Sequence, residues 1–198
     1  NQAALDAAFT TWLTGFSVTG GCTPTGSYGT PTAPVLCDGG TTTVTYNYSD
    51  LCETGSVTAT FTVTAPADLT ITEPTDFTAS ACTYANQAAL DAAFTTWLTG
   101  FSVSGGCAPT GSYGTPTAPV LCDGGTTTVT YNYSDLCETG SVTASFTVTA
   151  PADLTITEPN DVTASACTYA NQAALDAAFN TWLTGFSVSG GCAPTGSY

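Results

Sequence analysis

Residues 1–113 return as residues 86–198 at an offset of 85, and the two copies differ at six positions. These are Thr19/Ser104, Thr23/Ala108, Thr60/Ser145, Thr75/Asn160, Phe77/Val162 and Thr95/Asn180. Five are exchanges among small or polar side chains, and the sixth, Phe to Val, stays apolar. A catalytic site is needed once per functional unit, whereas a repeat this uniform produces length and surface. The chain opens at Asn1 and closes at Tyr198, each inside a repeat, and so reads as a slice of a longer array. The expected divisions are a partial repeat over 1–66, a complete one over 67–151 and a second partial one over 152–198.

Composition narrows the chemistry. There is no Lys, Arg or His, so the 15 carboxylates stand alone and the formal net charge is −15. No salt bridge between side chains can form, a His or Lys general base is excluded, and so is an arginine clamp for phosphate. Nucleic acid and anionic membranes should repel the chain, since binding either needs a basic patch. With 42% hydrophobic and 11% aromatic residues the chain nevertheless has the material for a core. No run of 18 apolar residues exists to insert into a membrane.

Nine cysteines occur, four per period and one over, Cys192. Cys22, Cys37, Cys52, Cys82, Cys107, Cys122, Cys137 and Cys167 read as a disulfide framework. Neither CxxC spacing nor histidine supports a zinc site. Such a framework implies export, with a signal peptide expected upstream.

Within one repeat, Leu69–Thr72 and Phe77–Cys82 alternate as short strands. Asn86 caps a helix whose stripe is Ala89, Leu90, Ala93, Phe94, Trp97, Leu98 and Phe101, with Gly100 as its stop. Phe101–Val103 begins another strand. Residues 108–125 are rich in Pro, Gly, Thr and Ser and read as a loop, with one short edge strand at Ala118–Leu121. The clearest β signal follows. Val129, Tyr131 and Tyr133 alternate with polar residues, the chain turns at 135–140, and Val142, Ala144, Phe146 and Val148 alternate on the return. Helix stripe, hairpin and the Leu69/Ile71 strand would share one core. The expected fold is mainly β: tandem Ig-like β-sandwich modules, each with one inserted amphipathic helix, stacked as a rod through the Pro151 and Pro159 joint.

The strings CDGGTTTVTYNYSDLC, SVTATFTVTAPADLTI and NQAALDAAFTTWLTGFSVTGGC resemble repeats of giant surface proteins of Bacteroidota, including Flavobacteria. These are Ig-like and HYR-like modules of gliding adhesins of the SprB type. The resemblance covers the whole chain. It implies type IX secretion, display on the bacterial cell surface, and a structural or adhesive role in a filament or in gliding motility. The partners it implies are copies of the repeat and a surface or glycan ligand.

Several side chains are candidates for more. Asp123, Asp135 and Glu138, at turns, are hard oxygen ligands suited to a structural calcium, the one cofactor the sequence would admit. The competing reading is a solvated acidic surface. Asn47 and Asn132 begin N-x-S sequons on the outward strand face. Tyr28 and Tyr113, in the Pro/Gly loop, are candidate contact residues. Thr126, Thr128, Thr130, Thr143, Thr147 and Thr149 line the hairpin's outer face, where high β-propensity explains them better than ice binding does. An enzyme is not expected, because the paired carboxylates of the turn lack a cleft. A calcium- or glycan-binding module repeated for avidity is the rival to a structural array.

Disulfide pairing is constrained by reach. Cys122 and Cys137 flank a nine-residue strand of about 30 Å and should not pair with each other. Out along a helix and back along a strand makes Cys82–Cys107 the favoured bond. The alternatives are Cys37–Cys137 across a joint, or Cys107–Cys122 with Cys82–Cys137 inside a module.

Overall fold

A computed structural model describes residues 1–198. Along the chain run α1 (Gln2–Leu13), β1 (Thr25–Ser27), β2 (Gly40–Ser49), β3 (Thr54–Val63), β4 (Thr70–Thr72) and β5 (Phe77–Ser80). These are followed by α2 (Gln87–Leu98), β6 (Ser102–Ser104), β7 (Thr110–Ser112), β8 (Gly125–Ser134) and β9 (Thr139–Thr149). The chain ends with β10 (Thr155–Thr157), α3 (Gln172–Leu183) and β11 (Ser187–Ser189). The fold is mainly β.

Compaction does not follow the sequence repeat. One compact unit gathers Asn1–Thr72, Ser102–Ser112 and Tyr131–Ser141, and the other Glu73–Phe101, Tyr113–Thr130 and Val142–Tyr198. In the first, β1, β2 and β3 form an antiparallel sheet in that order. The β2–β3 register runs without a slip from Gly40↔Val63 to Ser49↔Thr54. A one-residue slip would turn Val44 and Tyr46 out of the core, and so the alternation fixes the pairing. The core here is Phe9, Leu13 and Val44, with Trp12, Phe16, Tyr28, Ala33 and Phe61 packed around it.

In the second unit, α2 lays its stripe on the inner face of β9. Leu90 is 0% exposed, and Phe94, Leu98 and Phe101 are buried with it. Phe94 meets Phe146 edge-on at 5.2 Å and Trp97 meets it at 5.5 Å. Burying each such side chain is worth about 1.5–3 kcal/mol. β5 runs parallel to β9, pairing Phe77↔Phe146 through Ser80↔Thr149, and the two phenyl rings stack at 4.6 Å. Asp76, just before β5, accepts the Ser145 amide at 2.8 Å. The sheet order is β5-β9-β8-β7.

The hairpin, the helix and its Asn86 cap form as the sequence predicts; the Asn86 carboxamide accepts the Ala89 amide at 3.0 Å. The 108–125 segment does not. It holds β7, paired with β8 as Thr110↔Ser134, Gly111↔Tyr133 and Ser112↔Asn132. The expected edge strand at Ala118–Leu121 is only a bridge between Val120 and Gly124. Gly111 explains why β7 escapes a hydrophobic reading: a Cβ there would overlap the Tyr131 phenol, so the strand is built round an absent side chain.

Candidate functional site

The residues that join one repeat to the next are the most distinctive part of the chain. In the first unit, Cys37 bonds Cys137 with Cα atoms 5.5 Å apart, and in the second Cys82 bonds Cys192 at 5.1 Å. Both separations lie within the normal disulfide range. Each bond ties a cysteine of one repeat to a cysteine of the following repeat. Disulfides belong to oxidising surroundings, extracellular or secreted.

The cross-joint pairing Cys37–Cys137 was one of the alternatives the sequence allowed. The favoured Cys82–Cys107 bond does not form. Ser80, two residues before Cys82, pairs with Thr149 at the open end of the hairpin. Cys107 instead donates its amide to Asp135 in the hairpin turn. The strand expected to lead back from α2 is only the three residues of β6, which pairs with β4. Nor do Cys107–Cys122 or Cys82–Cys137 form, and Cys192, read as left over, is paired. Of the predicted framework, Cys37, Cys82 and Cys137 are bonded, while Cys22, Cys52, Cys107, Cys122 and Cys167 are free and exposed.

Asp135 builds the turn that presents Cys137. One carboxylate oxygen accepts the Cys137 amide at 2.8 Å and the Glu138 amide at 2.7 Å, and the other accepts Cys107 at 2.8 Å. These bonds, that of Cys107 foremost, hold its pKa below the ordinary carboxylate value. Asp50 repeats the arrangement with Cys52, Cys22 and Glu53, and its pKa is lowered in the same way, chiefly by Cys52. This role for Asp50 and Asp135 is not legible from their composition as acidic turn residues. Nor is that of Gln87, whose amide donates to Pro119 at 3.1 Å and whose oxygen accepts the Leu121 amide at 2.8 Å. Gln87 thereby pins the loop that carries Cys122.

The calcium candidates are not assembled: no three His, Cys, Asp or Glu side chains come together as a metal set. Asp135 is engaged by three amides, while Asp123 and Glu138 are exposed. Tyr28 and Tyr113 are half-buried. Tyr28 packs on Phe16 at 5.7 Å and Tyr113 on Phe101 at 5.8 Å, each closing the end of its helix stripe. Asn47 and Asn132 are exposed on the outward face. On that face Thr126 and Thr147 share a hydrogen bond of 2.9 Å, so the threonines stitch the strands across the ladder.

Asn132 also borders an open, polar groove of about 500 Å³ formed by residues 110–112, 132–134 and 139–141. Residues 25–27, 47–49 and 54–56 form its counterpart of about 520 Å³ one repeat earlier. No helix is long and apolar enough to cross a membrane. Compared with protein-family models and with curated protein sequences, the chain matches none.

Proposed function

We propose that this chain is a stretch of the structural and adhesive repeat region of a secreted bacterial surface filament or giant adhesin. In this reading its repeats are Ig-like modules, each with an inserted helix, stacked end to end into a rod. The observation that carries it is the pair of disulfides, each fastening one repeat to the next. A module that acted alone would close its bonds within itself; bonds from repeat to repeat suit a chain whose product is continuity. The likeness to SprB-type repeats adds the cell surface of Bacteroidota, type IX secretion and gliding. The absence of any basic side chain speaks against nucleic acid as partner and against acid–base catalysis by His or Lys, so the role is read as non-enzymatic.

The test is to image the full-length product. A thin filament with regular subunit spacing supports the reading, and a compact globule with a saturable sugar site in each unit overturns it. The polar groove repeated beside Tyr48 and Tyr133 favours the second reading, a glycan-binding module multiplied for avidity. Glycan arrays probed with this chain decide it.

A further inference from the structure

Two cysteines of each repeat stand where an antiparallel ladder would bond them to each other, and they are not so bonded. Strand β1 pairs with β2 as Thr25↔Ser49, and β7 with β8 as Thr110↔Ser134. Carried three residues further, the same registers set Cys22 opposite Cys52 and Cys107 opposite Cys137. Directly opposed residues of an antiparallel pair have Cα atoms about 4.5–5.5 Å apart, inside the span of a disulfide. Yet Cys22 and Cys52 are both free and exposed, and Cys137 bonds Cys37 instead of Cys107.

The ladder is broken at this point, in the same way in both repeats. One oxygen of Asp50 accepts the Cys22 amide at 3.0 Å, and the other accepts the Cys52 and Glu53 amides at 2.8 and 2.7 Å. Asp135 holds Cys107, Cys137 and Glu138 likewise. The next backbone bonds fall out of step with the register: the Leu51 amide donates to the Cys22 carbonyl, and that of Leu136 to the Cys107 carbonyl. Thr23 and Ala108 make the step with left-handed φ values of 58° and 57°. Neither is glycine, and a β-branched threonine is strained there. Strain kept at one position in two copies points to a use. Gly21 and Gly106 leave room for the carboxylate, since a Cβ on either would collide with Asp50 or Asp135. Ala193 takes the same step, with φ 56°, after Cys192, which bonds Cys82. The left-handed step is thus the backbone in which this cysteine position pairs across repeats.

We propose that Asp50 and Asp135 determine the specificity of disulfide pairing. Each pins two opposed cysteines out of ladder geometry, which bars their bond and leaves each open to a cysteine of another repeat, as Cys137 is to Cys37. The inference goes beyond the array reading, because it concerns bond choice and holds whether the array is a rod or a string of binding modules. A disulfide forms only where Cβ atoms come about 3.5–4.5 Å apart with a Cβ–S–S–Cβ angle near 90°. A carboxylate bridging both amides removes the backbone freedom needed to reach that geometry. Without the bridge, cysteines at opposed positions have a high effective concentration for each other, and the local bond wins. It would form by exchange with a small-molecule disulfide such as glutathione disulfide. The Cys52 thiolate attacks it and releases one glutathione; the Cys22 thiolate then attacks the Cys52 sulfur and releases the second. Two protein thiols lose two electrons and two protons, and the oxidant becomes two thiols.

The test is oxidative refolding of the reduced full chain under glutathione disulfide, then iodoacetamide and chymotryptic mapping without reductant. The unaltered chain should show Cys37–Cys137 and Cys82–Cys192, with Cys22 and Cys52 alkylated. Asp50→Asn separates the two halves of the bridge. Its Oδ1 can still accept the Cys52 and Glu53 amides, whereas its NH2 group cannot accept that of Cys22. This variant should form Cys22–Cys52 at least about tenfold more than the unaltered chain. Cys37–Cys137 and Cys82–Cys192 should stay intact, which a general loss of folding would not allow. Asp135→Asn should divert Cys137 to Cys107 and leave Cys37 alkylated, and adding Cys107→Ser should restore Cys37–Cys137. A Cys22–Cys52 bond in the unaltered chain, or none in Asp50→Asn, overturns the proposal. So does Asp135→Asn if Cys37–Cys137 persists. If that bond is lost and Cys107→Ser does not restore it, Asp135 supports the turn alone and the proposal fails.

Discussion

Helices α2 and α3 differ at one residue, Thr95 against Asn180, yet only part of their structure is shared. Both are twelve residues long, both are capped by an asparagine that accepts the amide three residues on, and both donate a tryptophan N–H to a backbone carbonyl before the helix. Here the likeness stops. Leu90, Phe94 and Leu98 are buried, while no residue of α3 is. Gln87 holds a loop; its counterpart Gln172 reaches only Asp176, its neighbour one turn on. The pair separates two levels of encoding. Caps and near-neighbour bonds are written in the local sequence, and the burial that makes a helix expensive to lose comes from a hairpin that follows it.

The largest effect should come from the stripe. Phe94→Ala is expected to cost about 3–5 kcal/mol in urea unfolding and Phe179→Ala less than about 1 kcal/mol. Equal costs would break the contrast. Next, replacing Cys82 and Cys192 together by serine should cost about 2–4 kcal/mol, and hydrogen exchange should show the loss in α3 before α2. Gln87→Ala should cost about 1–2 kcal/mol through the unpaired Leu121 amide, and Gln172→Ala almost nothing. The caps sharpen the comparison from the other side: Asn86→Ala and Asn171→Ala should each cost about 1 kcal/mol of helix stability, read by exchange of the amides they bind.

The smallest effect concerns acid, and here the two equivalent turns should agree. Asp50 and Asp135 have folded-state pKa values below the ordinary 3.8, so each favours the folded turn above that value. The contribution fades as pH falls through 3.8 and is gone below the depressed folded value. Amide exchange at Cys52 and Cys137 should accelerate together over that window, and Asp135→Asn should remove the pH dependence at Cys137 alone.

The same division of levels describes what could be read beforehand. Alternation gave Val129, Tyr131, Tyr133, Val142, Ala144, Phe146 and Val148 as one face; five are buried, while Tyr133 and Val142, nearest the turn, are half-buried. Helix periodicity gave Leu90, Phe94 and Leu98. What escaped was decided by partners distant in sequence. β7 is a Thr-Gly-Ser strand whose only signal is a glycine that makes room for Tyr131. β5 is parallel to β9, and nothing in Phe77–Ser80 states its direction. The favoured Cys82–Cys107 bond needed the strand after α2 to run back the length of the helix, and β6 is only three residues long. The packing of Tyr28 on Phe16 and of Tyr113 on Phe101 was likewise not legible, because a Pro/Gly loop reads as exposed even where it folds back over a helix end.

The bonds Cys37–Cys137 and Cys82–Cys192 also set how far the chain can be drawn out, and they interleave, because Cys82 lies inside the first loop and Cys137 inside the second. Under tension applied to the two ends, force takes the shortest covalent route, and that route leaps from the sulfur of Cys82 to that of Cys192. The residues between them, a separation of 110, bear no load even if every hydrogen bond among them fails. At about 3.4 Å per extended residue, roughly 370 Å of slack is kept out of play. Reducing that bond alone frees little, since the route then leaps from Cys37 to Cys137, a separation of 100; the tether lengthens only when both are broken.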